Sequence, residues 1–146
     1  MIQSLDQKTV AVTVPVAIVD DGSWTTIEID TKGYDRLDVY VMLGVLDVDM
    51  VAMKLQSTDT TGSGHADVAG LVYDTSPAPD LPSATDDGNI YAFHVDLLGK
   101  KRFFDLVLTG GDGTAGTFAV AWAVLSRPKI TPITAAARGL AAAAVA

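Results

Sequence analysis

Leu37-Asp38-Val39-Tyr40-Val41-Met42-Leu43 (LDVYVML) is the stretch that decides the fold class. Leu37, Val39, Val41 and Leu43 alternate with Asp38, Tyr40 and Met42, the period-two pattern of a strand with one buried face. Strung on a helix, the same four apolar groups would be scattered around the circumference instead of lining one side. The segment therefore reads as one wall of a β-core.

Working outward, the pattern repeats. Val10, Val12, Val14, Val16 and Ile18 alternate with smaller residues, and Pro15 among them predicts an edge strand, a bulge or a bend. Asp20-Asp21-Gly22-Ser23 is a turn cluster, and Trp24 to Ile29 reads as a second strand with Ile27 and Ile29 on one face. Met50 to Gln56 and Asp67 to Tyr73 follow as strands, separated by the polar loop Ser57 to Ala66. Ile90 to Leu97 aligns Tyr91, Phe93, Val95 and Leu97, and Lys101 to Thr109 aligns Phe104, Leu106 and Leu108. The Gly99-Lys100 turn between them predicts a hairpin. Thr117 to Leu125 (TFAVAWAVL) is apolar on both faces, so it is expected at the centre of a sheet or covered on both sides. Strands every ten to fifteen residues with no helical pattern between them predict an antiparallel β-sandwich or jelly-roll-like barrel of about eight strands.

Two segments break the rhythm. Asp74 to Asn89 is the longest irregular stretch and holds three of the six prolines, Pro77, Pro79 and Pro82, flanking Leu81. Loops this long in a compact domain commonly carry function, and Pro77, Pro79, Leu81 and Pro82 are candidate contacts with a neighbouring subunit. After Arg127-Pro128 the chain changes character: Thr131-Pro132 enforces extended geometry, and Ala135 to Ala146 contains eight alanines in twelve residues. The expected division is a β-sandwich body over 1–127 and a Pro/Ala-rich arm over 128–146. Ile130, Ile133, Arg138 and Leu140 are the arm residues expected to dock on a partner.

Composition narrows the function. The formal net charge is −8, carried by seventeen Asp and the lone Glu28, which speaks against a nucleic-acid groove. Asp favours turns and caps whereas Glu favours helix interiors, so this bias belongs to a fold rich in turns. Nearly half of the residues (49%) are apolar, yet no run approaches the ~20 residues of a membrane-spanning helix. The surplus is assigned to a core and to subunit interfaces. Met1 to Val10 lack the basic-then-apolar order of a secretory signal, and with no cysteine the fold relies on packing and oligomer contacts.

The inventory of chemical groups is thin, and the chain is expected not to be an enzyme or to need a cofactor. The histidines are His65, read as a solvated loop residue, and His94, on the polar side of its strand. Asp47 with Asp49, or Asp86 with Asp87, could form an acid–base pair, but turn capping explains both. Asp86, Asp87 and Asn89 offer oxygens for calcium without the EF-hand ligand order. Gly110 to Gly116 lacks a phosphate-loop lysine and reads as a turn. Lys100, Lys101 and Arg102 form the basic cluster, able to pair with an acidic patch on another copy of this Asp-rich chain.

Several stretches taken in order resemble a known group of proteins. They are Tyr34 to Val39 (YDRLDV), Met53 to Asp59 (MKLQSTD), Val68-Ala69-Gly70, Tyr91 to Asp96 (YAFHVD), Lys101 to Phe104 (KRFF) and Ala123 to Pro128 (AVLSRP). Together they resemble small virion structural proteins of tailed bacteriophages and prophages, including capsid decoration (cement) proteins. The resemblance implies a homo-oligomer, a trimer in such proteins, that binds the major capsid protein on the head surface. It implies assembly in the host cytoplasm and no role in nucleic-acid or membrane binding. A head–tail connector, tail or fibre-base component is the alternative within that group. A carbohydrate-binding sandwich is the alternative outside it, and Trp24, Tyr91 and Trp122 are the aromatics it would use, although Trp122 in its apolar strand reads as core.

Overall fold

The computed structural model describes residues 3–13, 16–18, 22–74, 79–114, 117–132 and 134–144. After a short 3-10 turn, Gln3–Asp6, nine strands follow among the described residues. They are β1 (Lys8–Ala11), β2 (Val16–Ile18), β3 (Ile29–Asp30), β4 (Tyr34–Leu43), β5 (Ala52–Thr58), β6 (Ala66–Tyr73), β7 (Ile90–Asp96), β8 (Phe103–Thr109) and β9 (Thr117–Pro128). They form two antiparallel sheets and no α-helix among the described residues. Sheet A runs β1-β9-β4-β7, with β2 also beside β9, and sheet B runs β3-β8-β5-β6. The fold is an all-β sandwich.

Strand alternation builds the core. Leu37, Val39, Val41 and Leu43 of β4 face inward with Phe93 and Val95 of β7 and with Ala119, Ala121, Ala123 and Leu125 of β9. Sheet B answers with Ile29, Met53, Leu55, Phe104, Leu106 and Leu108 in the same hydrophobic cluster. The small alanines of β9 sit in the middle of sheet A and leave room for the larger groups opposite. β9 is central, as its two apolar faces predict.

The expected Val10–Ile18 strand is two strands, β1 and β2, paired out of register along β9. Ala11 pairs with Trp122, but Val16 pairs with Ala119, so the first segment carries extra residues. The amides of Val12 and Thr13 both donate to the Ala121 carbonyl, and the Ala121 amide donates to Thr13 Oγ1 at 2.8 Å. Val12 and Thr13 are consequently both buried, which simple alternation forbids. Pro15 lies outside the described residues.

Three expectations need correction. Trp24 to Ile29 is not a strand: only Ile29–Asp30 pairs with β8, Trp24 and Ile29 are buried, and Ile27 is exposed. Here the chain crosses toward sheet A, where the Ile27 amide donates to the Val12 carbonyl, and the crossing breaks the alternation. β7 and β8 are not a hairpin, because β7 pairs with β4 in sheet A and β8 with β5 and β3 in sheet B. The 97–102 connection is an arch that sets two apolar faces against each other across the core, an arrangement with the same local periodicity as a hairpin. Third, within the loop expected to reach a neighbour, Pro82 is buried and Leu81 packs against the core cluster. The Pro82 carbonyl accepts the Met50 amide, so this part of the loop belongs to the chain's own body.

The arm begins as an extension of β9 and returns to the sandwich. The Thr9 amide of β1 donates to the Arg138 carbonyl at 2.7 Å, covering part of the sheet edge. Gly139 takes a left-handed conformation there, and a Cβ on it would overlap the Thr9 carbonyl. Thr134 to Gly139 form turns and no helix.

Candidate interaction surface

The two outer faces of the sandwich differ in chemistry. On sheet B, Lys54 Nζ and Gln56 Nε2 both donate to Asp67, and Thr26 donates to Asp105. Arg102 grips Asp30 through two hydrogen bonds of 2.7 Å and lies over the Phe103 ring. The fork holds the Asp30 carboxyl below its ordinary range. Arg102 is therefore tied to its own chain, whereas Lys100 and Lys101 are exposed and make no ion pair among the described residues.

On sheet A the outward positions are Met42 and Tyr40 of β4, Ile90 and Ala92 of β7, and Phe118, Val120, Trp122 and Val124 of β9. Met42 is 42%, Phe118 46% and Ile90 60% exposed. Next to them lies an apolar hollow of about 180 Å³ lined by Met42, Leu43, Gly44, Phe118, Ala119 and Val120. Gly44 permits it: its amide donates to the Phe118 carbonyl, and a Cβ there would press on the Phe118 side chain.

Trp122 points outward and is not core, contrary to the sequence expectation. It stacks on its cross-strand partner Tyr40 at 5.6 Å between centroids, and His94 meets the same Tyr40 edge-on. Tyr40 is thus flanked by two rings and offers no open platform to a sugar. Trp24 is buried and Tyr91 packs against the core, so the three aromatics of the carbohydrate reading are not brought together.

At the other end of this face, Arg36 and His94 both hydrogen-bond Asp38, with His94 Nδ1 to Asp38 Oδ1 at 2.6 Å. Burial opposes ionisation of Asp38, but bonds from Arg36 and His94 outweigh it and hold the carboxyl below its ordinary value. A hollow of about 210 Å³ beside the cluster is lined by Asp35, Arg36, His94, Val95, Asp96 and Arg127. Arg127 has φ of 56°, a left-handed conformation unusual for a residue with a side chain. The neighbouring groove adds Asp6, Gln7, Ser126 and Pro128.

The remaining predicted residues are placed as follows. Pro77 and Ile133 lie outside the described residues. Pro79 is exposed and its carbonyl accepts the Asp74 amide. Ile130 is 86% exposed, while Arg138 and Leu140 are half-buried beside the arm's turn. The acid pairs cap turns: Asp86 accepts from the Ser83 amide and hydroxyl and from Asn89, Asp87 accepts the Leu46 amide, and Asp49 accepts the Ala84 amide. His65 is not merely solvated, since its Nε2 lies 2.9 Å from Glu28, which also accepts from Thr61 and the Gly62 amide. No group of three or more potential metal ligands occurs among the described residues.

The topology also sorts charge, which sequence reading did not detect. Asp47, Asp49, Asp74, Asp80, Asp86, Asp87 and Asp112 lie in loops at one end of the strands, and the described segments there hold no Lys or Arg. At the opposite end lie Lys32, Arg36, Lys100, Lys101, Arg102, Arg127 and Lys129, interleaved with acids such as Asp30, Asp35 and Asp96.

No protein-family model matches this chain, and a search of curated proteins likewise finds no match.

Proposed function

We propose that this chain is a structural subunit of a bacteriophage virion, acting as a capsid decoration protein. In this reading a homo-oligomer, a trimer, seats on the major capsid protein at the head surface and stabilises contacts between capsomers. The role is one of binding, without catalysis or cofactor. The observation that carries it is the outer face of sheet A, where Met42, Ile90 and Phe118 stand exposed at the end away from the Arg36–Asp38–His94 cluster, while sheet B carries the Lys54–Asp67 and Arg102–Asp30 pairs. An apolar face of this kind marks an interaction site in a soluble protein. Many weak contacts of one repeated subunit add through avidity, so no single contact has to be strong.

The test is cosedimentation of the purified chain with heads of the phage that encodes it, with its position then located by cryo-EM. Copies at repeated sites on the head surface are the expected result. Ile90→Asp, at an exposed position outside the core, should weaken head binding by about tenfold or more, ~1.4 kcal/mol. Density confined to the neck or tail would instead favour a connector or tail component, and no particle association at all would defeat the reading.

A further inference from the structure

Resting on that reading of the chain as a self-assembling subunit, we propose that the two ends of the sandwich are complementary and that copies dock head to tail. At one end Lys32, Lys100, Lys101, Arg127 and Lys129 are all exposed and make no ion pair among the described residues. Leu98, in the 97–100 turn, stands 88% exposed at this end, and Ile130 is likewise exposed where the chain leaves β9. Covering Leu98 would remove its apolar area from water at roughly 25 cal/mol per Å², and the unpaired cations around it share this end with Asp30, Asp35 and Asp96.

The opposite end supplies what this rim lacks. Its loops are uniformly acidic, and they border the apolar hollow of about 180 Å³ between Met42 and Phe118. The hollow is open to solvent, and its apolar lining of Met42, Leu43, Phe118, Ala119 and Val120 offers contact to a leucine side chain laid on it. Several of its acids already accept backbone hydrogen bonds and are fixed in place, so a partner lysine meets charges that need no ordering. Leu98 of one copy enters the hollow of the next, and the lysines of its turn meet Asp47, Asp87 and Asp112 around it. Because the two surfaces are different, the contact is heterologous: it closes into a ring if the rotation allows, and otherwise extends. The molecule's own charge supports this occupant, since a chain of net charge −8 repels its copies in most orientations and attracts them in this one.

The experiment uses the full chain and two substitutions at exposed positions, Leu98→Asp and Phe118→Asp, with circular dichroism confirming that each folds. Sedimentation velocity at low salt should show the wild type as an oligomer and each variant as a monomer. Mixed one to one, the variants retain one intact surface of each kind, so they should form a dimer and nothing larger. Raising salt from about 0.1 to 1 M shortens the Debye length from ~10 to ~3 Å and should shift the wild type toward monomer. Should a variant not fold, the doubly substituted Lys100→Glu, Lys101→Glu chain carries the same expectation. A monomeric wild type, variants that remain oligomeric, or a mixture that stays monomeric would each overturn the proposal. Head binding separates the two readings, scored on the wild type and Leu98→Asp because Phe118 belongs to the face assigned to the head: a wild type that is monomeric yet decorates heads removes the head-to-tail contact and leaves the virion role standing. An oligomer found on no particle does the reverse.

Discussion

Outside β5 and β8, Lys54, Gln56, Asp67, Asp105 and Arg102 hydrogen-bond one another or nearby side chains. Outside β4 and β9, Met42, Phe118 and Val120 meet no such cover, and Tyr40 with Trp122 form a stacked pair. Both faces hang on the same core and follow the same alternation, so fold stability does not require them to differ. A sheet surface with satisfied polar groups is content in water, whereas one bearing branched and aromatic groups gains free energy when covered, roughly 25 cal/mol per Å² of apolar area. The difference teaches that the two outer faces meet water on unlike terms, and that inward and outward residues should respond differently to substitution.

The largest effect is expected where the two faces share support. Leu106 of β8 is buried, and Leu106→Asp would place an unpaired charge in the core at a cost of at least ~4 kcal/mol, enough to unfold a domain of ordinary stability. Val107, the next residue, points to the outer side of sheet B and pairs across the strands with Lys54. Val107→Asp should leave the fold intact and shift the melting temperature by only a few degrees. Equal damage from both, measured by thermal unfolding, would break the inward–outward distinction.

That distinction was legible in the residues themselves where the information is local. The alternations at 37–43, 90–97, 101–109 and 117–125 locate β4, β7, β8 and β9. What depends on distant partners was not legible. Arch and hairpin share one periodicity, so the sheet to which β8 belongs is decided by its pairing with Ala52–Thr58, far away in the chain. Trp122 looked like core because β9 is apolar on both sides, and only the register with Tyr40 shows which side is outer. The Glu28–His65 contact spans 37 residues of sequence. The candidate surface was hidden for the same reason: charges scattered along the chain become two unlike ends only once the strands are ordered. The isolated Lys100 to Arg102 cluster was the one visible trace of it, and even there Arg102 turned out to be held by Asp30.

A middle-sized effect is expected at Asp38, the buried acid on the outer side of sheet A. Asp38→Asn removes the acceptor charge for Arg36 and His94 and should cost about 1–3 kcal/mol. The same site predicts a pH dependence. Its folded carboxyl lies below the ordinary value of 3.8, so its contribution is present above that value and disappears as pH falls through the lowered one. Acid unfolding followed by fluorescence should therefore show wild type and Asp38→Asn differing most above pH 4 and converging below it. A constant difference down to the most acidic conditions would show that the carboxylate's charge is not what matters there.

The smallest effect belongs to the polar side. Lys54 and Asp67 form a 2.8 Å ion pair at the surface of sheet B, with nearly half of the Asp67 side chain in solvent. Water screens such a pair and holding two long side chains together costs entropy, so exposed pairs contribute about 0–1 kcal/mol. Lys54→Ala should lower stability by no more than ~1 kcal/mol, and Gln56, which also donates to Asp67, keeps one of its hydrogen bonds in place. The decisive measurement is association and not stability: sedimentation and head binding of Lys54→Ala should match the wild type. If removing this one lysine instead dissolved the oligomer, sheet B would be the adhesive side, and the contrast between the faces would have to be reversed.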